Sequence, residues 1–171
     1  MKDYIDFLKS KIDIAQDSGF TISPNDVNPV LKPHARDAVM WAVKGGRRAL
    51  FESFGLHKTV QQLEYCRIIT EKAGGKALIV LPLGVRQEFA HDAVELLHID
   101  PPEYVRNMEE VKAASGTILM TNYERVRDGD IEPKVFTAVS LDEAAVLRSF
   151  GSKTYQVFLD KFKGVPYKLV A

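Results

Sequence analysis

Arg47-Arg-Ala-Leu-Phe-Glu-Ser-Phe-Gly-Leu-His-Lys-Thr59 is the stretch whose reading decides the fold. Ala49, Leu50 and Phe51 read as a short apolar strand, Gly55 as a tight turn and Lys58-Thr59 as a polar pair. A helix follows from Val60 to about Lys72. That helix carries Leu63, Cys66, Ile69 and Ala73 at three- or four-residue spacing, with Gln61, Glu64, Arg67 and Glu71 between them. Strand, glycine turn, Lys-Thr and helix form the layout of a phosphate-binding loop. In such a loop backbone N–H groups at the helix start cradle phosphates, the Lys reaches the terminal ones and the hydroxyl meets Mg²⁺. The general pattern G-x-x-x-x-G-K-S/T asks for glycine at 52 and 57, where this sequence has Glu52 and His57.

Outward from this stretch, 171 residues suffice for one well-buried core with room for a small appendage. Hydrophobic residues make up 46% and charged ones 27%, the composition of an ordinary globular chain. Acidic and basic side chains number 23 each, so no global basic field draws in nucleic acid, although local patches remain open. The single cysteine, Cys66, excludes an internal disulfide and fits a reducing compartment. It falls on the apolar stripe of its helix and reads as a small buried hydrophobe. No apolar run is long enough to cross a bilayer, and the charged start MKDYIDFLKSK lacks the apolar stretch of a signal peptide. The cytoplasm is the expected compartment, with no membrane partner.

Along the chain, Asp3 to about Gln16 reads as an amphipathic helix, and residues 20–32 read as an ordered connector rich in Pro and Asn. Pro33 opens a helix to Lys44 that buries Ala38, Val39, Trp41 and Ala42, and Gly45–Gly46 stops it. Lys76–Leu81 is a near-continuous apolar run of the kind found in parallel strands covered on both faces. A helix over 85–97, a short strand over 103–107, a helix over 108–114 and a strand over 117–121 follow. Residues 123–134 are mostly charged and carry turn signals. A strand over 136–141, a helical turn over 144–150, a helix over 153–162 and a strand over 167–171 complete the series. Strands alternating with helices on short links predict an α/β fold with a mostly parallel sheet of five or six strands and helices on both faces. The predicted division is an N-terminal helix and connector over 1–32, then one domain over 33–171.

In such a sheet the binding crevice lies beyond the carboxyl ends of the strands. The predicted strands end at Gly55–Lys58–Thr59, Pro82–Leu83–Gly84, Thr121–Asn122–Tyr123 and Asp142–Glu143. A phosphate loop needs Mg²⁺, which takes carboxylate and phosphate oxygens. Asp142, at the end of a buried strand, suits that metal, and Glu143 suits orientation of an attacking water. The plainer alternative for this acidic pair is a helix start with acids at its positive end. Four histidines, at 34, 57, 91 and 98, share no metal-cage spacing, and Ser140 and Ser149 lack nucleophile-elbow glycines. Arg47 and Arg48 read as a solvated cap.

Taken together, these segments resemble the first RecA-like lobe of superfamily 2 helicases, nearest the Swi/Snf-type and phage or restriction-associated DNA-dependent ATPases. The resemblance covers about residues 30–171. Leu31-Lys-Pro-His-Ala-Arg-Asp-Ala-Val-Met-Trp41 is similar to the segment holding P-H-Q-x-x-A-V, and Glu52–Thr59 to D-E-x-G-L-G-K-T. Leu78-Ile-Val-Leu-Pro-Leu83 resembles motif Ia, Leu119-Met-Thr-Asn-Tyr-Glu124 motif Ib, and Leu141-Asp-Glu-Ala144 motif II. The resemblance implies a three-layer P-loop domain binding ATP and Mg²⁺. Gly55, Leu56, His57, Lys58 and Thr59 would line the nucleotide, with Lys58 on the β/γ-phosphates. Thr59 and Asp142 would hold the metal, and Glu143 would hold the water. Pro82, Gly84, Arg86, Asn122, Tyr123 and Arg125 would face a nucleic-acid backbone, DNA in the nearest relatives. Tyr123 is open to either base stacking or buried packing.

Three positions depart from that family. The adenine-reading glutamine falls on Ala35, the last loop glycine on His57, and the residue after D-E-A is Ala145. A Cβ at 57 costs on the order of 1 kcal/mol or more in strain, and the imidazole could itself fill the phosphate site. The family continues past the position of Ala171 into motif III and a second lobe, so this lobe alone is expected not to translocate. Two functional readings stand: the ATP-binding lobe of a helicase-like ATP hydrolase, and a nucleotide-blind module that binds nucleic acid or a protein partner. A different α/β domain with accidental matches is the third.

Overall fold

The computed structural model describes residues 16–53, 55–143 and 153–171. The predicted helix over 3–16 lies outside them except for Gln16, and the predicted turn over 144–150, with Ala144 and Ala145, lies outside them altogether.

The sheet has six strands, all parallel: β1 (Arg47–Ala49), β2 (Ala77–Leu81), β3 (Glu103–Tyr104), β4 (Ile118–Asn122), β5 (Ala138–Leu141) and β6 (Tyr167–Val170). Their spatial order is β1-β6-β5-β2-β4-β3. Helices α1 (Pro33–Gly45), α2 (Lys58–Ala73), α3 (Arg86–Glu95), α4 (Met108–Ala113), α5 (Tyr123–Asp128) and α6 (Lys153–Phe162) connect them. Along β2 successive side chains alternate between two apolar layers, which is why its five residues are all buried. Ala77, Ile79 and Leu81 join the core beneath α1, α2 and α3, where Val39, Leu63, Ile69 and Phe89 are buried. Leu78 and Val80 join the other core, with Val126, Phe136, Phe158 and Phe162. Ile22, Val27 and Leu31 of the connector pack into the first of these cores.

Several expectations are corrected. The first strand is Arg47–Ala49 rather than residues 49–51, and Phe51 is 90% exposed. As the edge strand it pairs only with β6 among the described residues, so it needs no apolar run to form. The charged 123–134 segment holds a short helix, α5, and a 3-10 turn at Pro133–Val135. Trp41 is half exposed because α1 buries Ala35, Val39, Ala42 and Val43 instead. Arg48 is no solvated cap. Its guanidinium lies 5.2 Å from the centroid of the Trp41 ring and 2.5 Å from Asp17 Oδ1, tying the connector to α1.

The helix following the central loop departs furthest from its sequence reading. An amphipathic helix would keep Gln61, Gln62 and Glu64 in water, but all three are fully buried. Each is held by side-chain hydrogen bonds: Glu64 accepts from the Asn28 N–H at 2.7 Å and from Arg67 at 2.6 and 2.8 Å. Burial of such groups is tolerable only with partners of this kind.

Candidate functional site

The two strands that matter end level with each other. Ala49 of β1 and Leu141 of β5 are both in register with Val170 of β6, which runs between them. Two strand spacings place the loop after β1 about 10 Å from the loop after β5, at the same rim. The Leu50 N–H donates to Val170 O at 2.7 Å and the Ala171 N–H to Leu141 O at 2.9 Å, so both exits are fixed to β6.

From β1 the chain turns through Gly55 at φ 81° and His57 at φ 60°, ψ 41°, and α2 begins at Lys58. The left-handed region is where a glycine costs least, and His57 holds it with an imidazole attached. Its side chain makes no capping bond to the helix start. The first-turn N–H groups of any helix have no carbonyl ahead of them, which leaves this turn suited to anions. Behind the loop, the Gln61 Nε2 donates to Glu52 Oε2 and to Leu56 O, both at 2.8 Å. One buried carboxamide therefore fastens both ends of the 52–56 bend.

One turn after Lys58, Gln62 Nε2 donates to Asp142 Oδ1 at 2.8 Å, while Gln62 Oε1 accepts the Ser140 hydroxyl at 2.7 Å. Burial pushes the Asp142 carboxyl above its ordinary range; the Gln62 bond and the Lys58 charge pull it down, and Glu143 and Glu88 push it up. The Thr59 hydroxyl donates to Glu88 Oε1 at 3.4 Å, so Thr59 faces the same group. Glu143 itself is at φ 52°, a left-handed conformation unusual for a glutamate.

The oxygen groups at this rim are the Asp142 carboxylate, one oxygen of which is held by an amide, and the Thr59 hydroxyl, which is bonded to Glu88. This set fits a hard divalent cation such as Mg²⁺, which keeps waters and substrate oxygens in its shell rather than filling a protein cage. No cluster of three His, Cys, Asp or Glu side chains able to hold a metal by themselves occurs among the described residues.

A cavity of about 90 Å³ opens beside the loop, lined by Val30, Leu31, Lys32, Ala35, His57, Val60 and Leu96. Two positions singled out separately in the sequence, Ala35 and His57, thus share one wall.

The residues expected to face nucleic acid lie at the ends of β2 and β4. Pro82 precedes a 3-10 turn, Leu83–Val85, in which Gly84 is exposed. The Arg86 guanidinium sits 5.0 Å from the centroid of the Tyr104 ring, and Tyr104 donates its hydroxyl to Asn122 Oδ1 at 2.9 Å. Arg125 is exposed but paired with Asp130 at 2.8 Å, which raises the Arg125 pKa from its ordinary value. The stacking role for Tyr123 is overturned. Tyr123 is 6% exposed, its ring 5.6 Å from that of Phe158 and its hydroxyl donating to the Asp142 main-chain carbonyl at 2.5 Å. Burial, then the Asp142 and Glu143 charges, hold its phenol above the usual range, so it remains a donor.

Sequence reasoning missed Gln61, Gln62, Glu88 and Ser140. Ser140 was detectable as the one hydroxyl deep inside the apolar run Ala138–Leu141. Gln62 falls one helical turn after Lys58, on the same face.

Neither a family profile nor a curated protein sequence matches this chain. Solved structures do. The UvsW helicase of bacteriophage T4 superposes with a TM-score of 0.66 at 18% identity, covering 99% of this chain and 59% of its own. The Sulfolobus solfataricus SWI2/SNF2 ATPase core in complex with dsDNA gives 0.65 at 16% identity, covering 88% of this chain and 33% of its own. The same organism's SWI2/SNF2 ATPase core domain gives 0.66 at 15%, covering 92% and 35%. The chain thus spans between a third and three fifths of the length of these structures, and its α/β fold is the RecA-like lobe found in helicases and SWI2/SNF2 ATPase cores.

Proposed function

We propose that this chain is the ATP-binding lobe of a helicase-like, nucleic-acid-dependent ATPase, working in the cytoplasm with a second RecA-like lobe. The reading assigns residues 33–171 to the lobe and residues 1–32 to its N-terminal extension. The observation that carries it is the convergence of Lys58 and Asp142 at one rim, with Gln62 bridging the two elements. Lys58 binds the β- and γ-phosphates, and the first-turn N–H groups of α2 receive their oxygens. Thr59 and Asp142 hold Mg²⁺, which when bound neutralises charge on the phosphates. Glu143 orients the attacking water, and its left-handed backbone fits a group held in a demanding position. Arg86 and Asn122, with the Pro82–Gly84 turn and Arg125, contact the backbone of DNA without reading its sequence. One structurally similar ATPase core is a complex with dsDNA, in keeping with that partner. No helix among the described residues is long and apolar enough to cross a membrane.

A second reading is favoured by His57. A side chain at a left-handed loop position, beside a cavity to which position 35 contributes only a methyl group, suits a lobe that no longer takes nucleotide. Titration with a fluorescent ATP analogue and Mg²⁺, for the parent chain and His57→Gly, decides between the two. Binding by the parent supports the ATPase lobe. Binding by His57→Gly alone makes His57 the blocking residue, and binding by neither supports the nucleotide-blind module.

A further inference from the structure

We propose that Tyr123 is a positioning residue for the acidic pair, linking it to the rim of β4 where nucleic acid would lie; this rests on the ATPase-lobe reading above. The Asp142 carbonyl that accepts the Tyr123 hydroxyl belongs to the peptide joining Asp142 to Glu143. Glu143, on the far side of that peptide, is at φ 52°. Asp142 is held on three sides: its N–H donates to Val80 O at 2.9 Å, its carboxylate accepts from Gln62, and its carbonyl accepts from Tyr123. The first two fix the strand end and the carboxylate. Only the third acts on the peptide leading into Glu143.

The other end of the link is at the surface. Tyr123 directly follows Asn122, and Asn122 Oδ1 receives the hydroxyl of Tyr104, whose ring carries the Arg86 guanidinium. Arg86, Tyr104, Asn122 and Tyr123 therefore form an unbroken series of contacts from the ends of β2 and β4 to the Asp142 carbonyl. The Tyr123 ring is wedged against Phe158 and its hydroxyl has one short bond, so a displacement of Asn122 reaches Asp142 rather than being absorbed by slack. The element with two states is the Asp142–Glu143 peptide. It is left-handed at Glu143 with the carbonyl held, and under this proposal release of the carbonyl lets Glu143 return to an ordinary negative φ.

The test uses the full chain. Affinity for a fluorescent ATP analogue with Mg²⁺ is measured with and without a short DNA duplex, for the parent, Tyr123→Phe and Tyr104→Phe. The parent is expected to show a change of roughly fivefold or more on adding duplex, the lower end of ordinary coupling. Tyr123→Phe keeps the ring against Phe158 and brings that ratio close to one, and Tyr104→Phe lowers it in part. An unchanged ratio in Tyr123→Phe overturns the proposal. So does an equal loss of affinity with and without duplex, the mark of a merely structural role. Should Tyr123→Phe fail to fold by circular dichroism, an unchanged ratio in Tyr104→Phe overturns it instead. A parent that binds nucleotide with no response to duplex also sinks the link while leaving the nucleotide site standing. A parent that binds no nucleotide sinks the ATPase-lobe reading itself, and this inference with it.

Discussion

Gln62 Nε2 lies 2.8 Å from Asp142 Oδ1, joining the helix that begins at Lys58 to the strand that ends at Leu141. The amide is oriented by Ser140, whose hydroxyl points at Gln62 Oε1, so the NH₂ group has one place to go. With Oδ1 engaged, Oδ2 is the oxygen that the proposed metal role would use. The spacing between ammonium and acid is thereby set by a buried side chain rather than by a mobile loop.

Gln62→Leu follows directly from that geometry. It removes an amide of similar volume and leaves the Ser140 hydroxyl and the Asp142 carboxylate short of a partner, a cost of about 2 kcal/mol. For a chain of this length that corresponds to a fall of roughly 4–8 °C in melting temperature. The functional signature is separate: the gain in nucleotide affinity on adding Mg²⁺ should shrink about tenfold, while affinity in EDTA changes little. Calorimetric melting and nucleotide titrations with and without Mg²⁺ read the two effects. Equal losses with and without the metal would mean that Gln62 only supports the core.

His57→Gly tests the loop. Relief of the left-handed strain gains on the order of 1 kcal/mol, and the added freedom of glycine in the unfolded chain removes a comparable 0.5–1 kcal/mol. The two nearly cancel, so the denaturation midpoint should stay within experimental error. Nucleotide affinity should instead rise about tenfold or more, because the imidazole leaves both the bend and the wall of the cavity shared with Ala35. A large stability change with no affinity change would show that His57 packs the loop and does not obstruct it.

Some of this architecture is legible in the residues and some is not, for separable physical reasons. Residues 77–81, 118–122 and 138–141 announce themselves because strands covered on both faces must be apolar throughout. Their carboxyl ends then locate the rim, and the placement of Lys58 and Asp142 together follows from parallel topology. β1 escaped because an edge strand of Arg47–Ala49 carries no such run, while the apolar Phe51 beside it faces solvent. Gln61, Gln62 and Glu64 escaped because a hydrogen-bonded polar group in the core has the same one-letter code as a solvated one. Tyr123 was open to two readings for the same reason, and its packing on Phe158 comes from a residue 35 positions away in the chain.

Cys66 offers a check on the core beneath α2. It is fully buried, and burial pushes its thiol up to about 12, so almost no thiolate is present near neutrality. Labelling with a maleimide at pH 7.5 should therefore be slow in the folded chain and fast in urea, with one equivalent incorporated. Rapid labelling without denaturant would mean that α2 opens locally or packs otherwise.

The connector is pinned by charge, and the sign of its pH dependence is set. Lys72 Nζ lies 2.6 Å from Asp26 Oδ1, and this bond, then the Ser23 N–H, lowers the Asp26 pKa below its ordinary value. The folded state thus binds fewer protons than the unfolded chain near the usual carboxylate pKa of about 3.9, so stability rises with pH there. The contribution is present above that pH and is lost as pH falls through the lowered folded value. Asp26→Asn should be less stable than the parent at pH 6 and converge with it toward pH 2.5. Urea midpoints across that range provide the comparison, and a constant gap would exclude the ion pair as its source.

Arg86 and Arg125 separate two kinds of surface charge. Arg86 stands over Tyr104 at the head of α3, and Arg125 is already neutralised by Asp130. A cation that must first leave a carboxylate gains less from a phosphate than one resting on an aromatic face. Arg86→Ala should therefore weaken DNA binding about equally across sequences and reduce the slope of log affinity against log salt by about one, the mark of a lost phosphate contact. Arg125→Ala should move both quantities far less, and Asp130→Asn should strengthen binding by releasing Arg125. Fluorescence anisotropy of a labelled duplex over a salt series measures all three. If Arg125→Ala were the more damaging change, the strand would run nearer α5 than the rim of β2, and the contact series through Tyr104 would lie off its path.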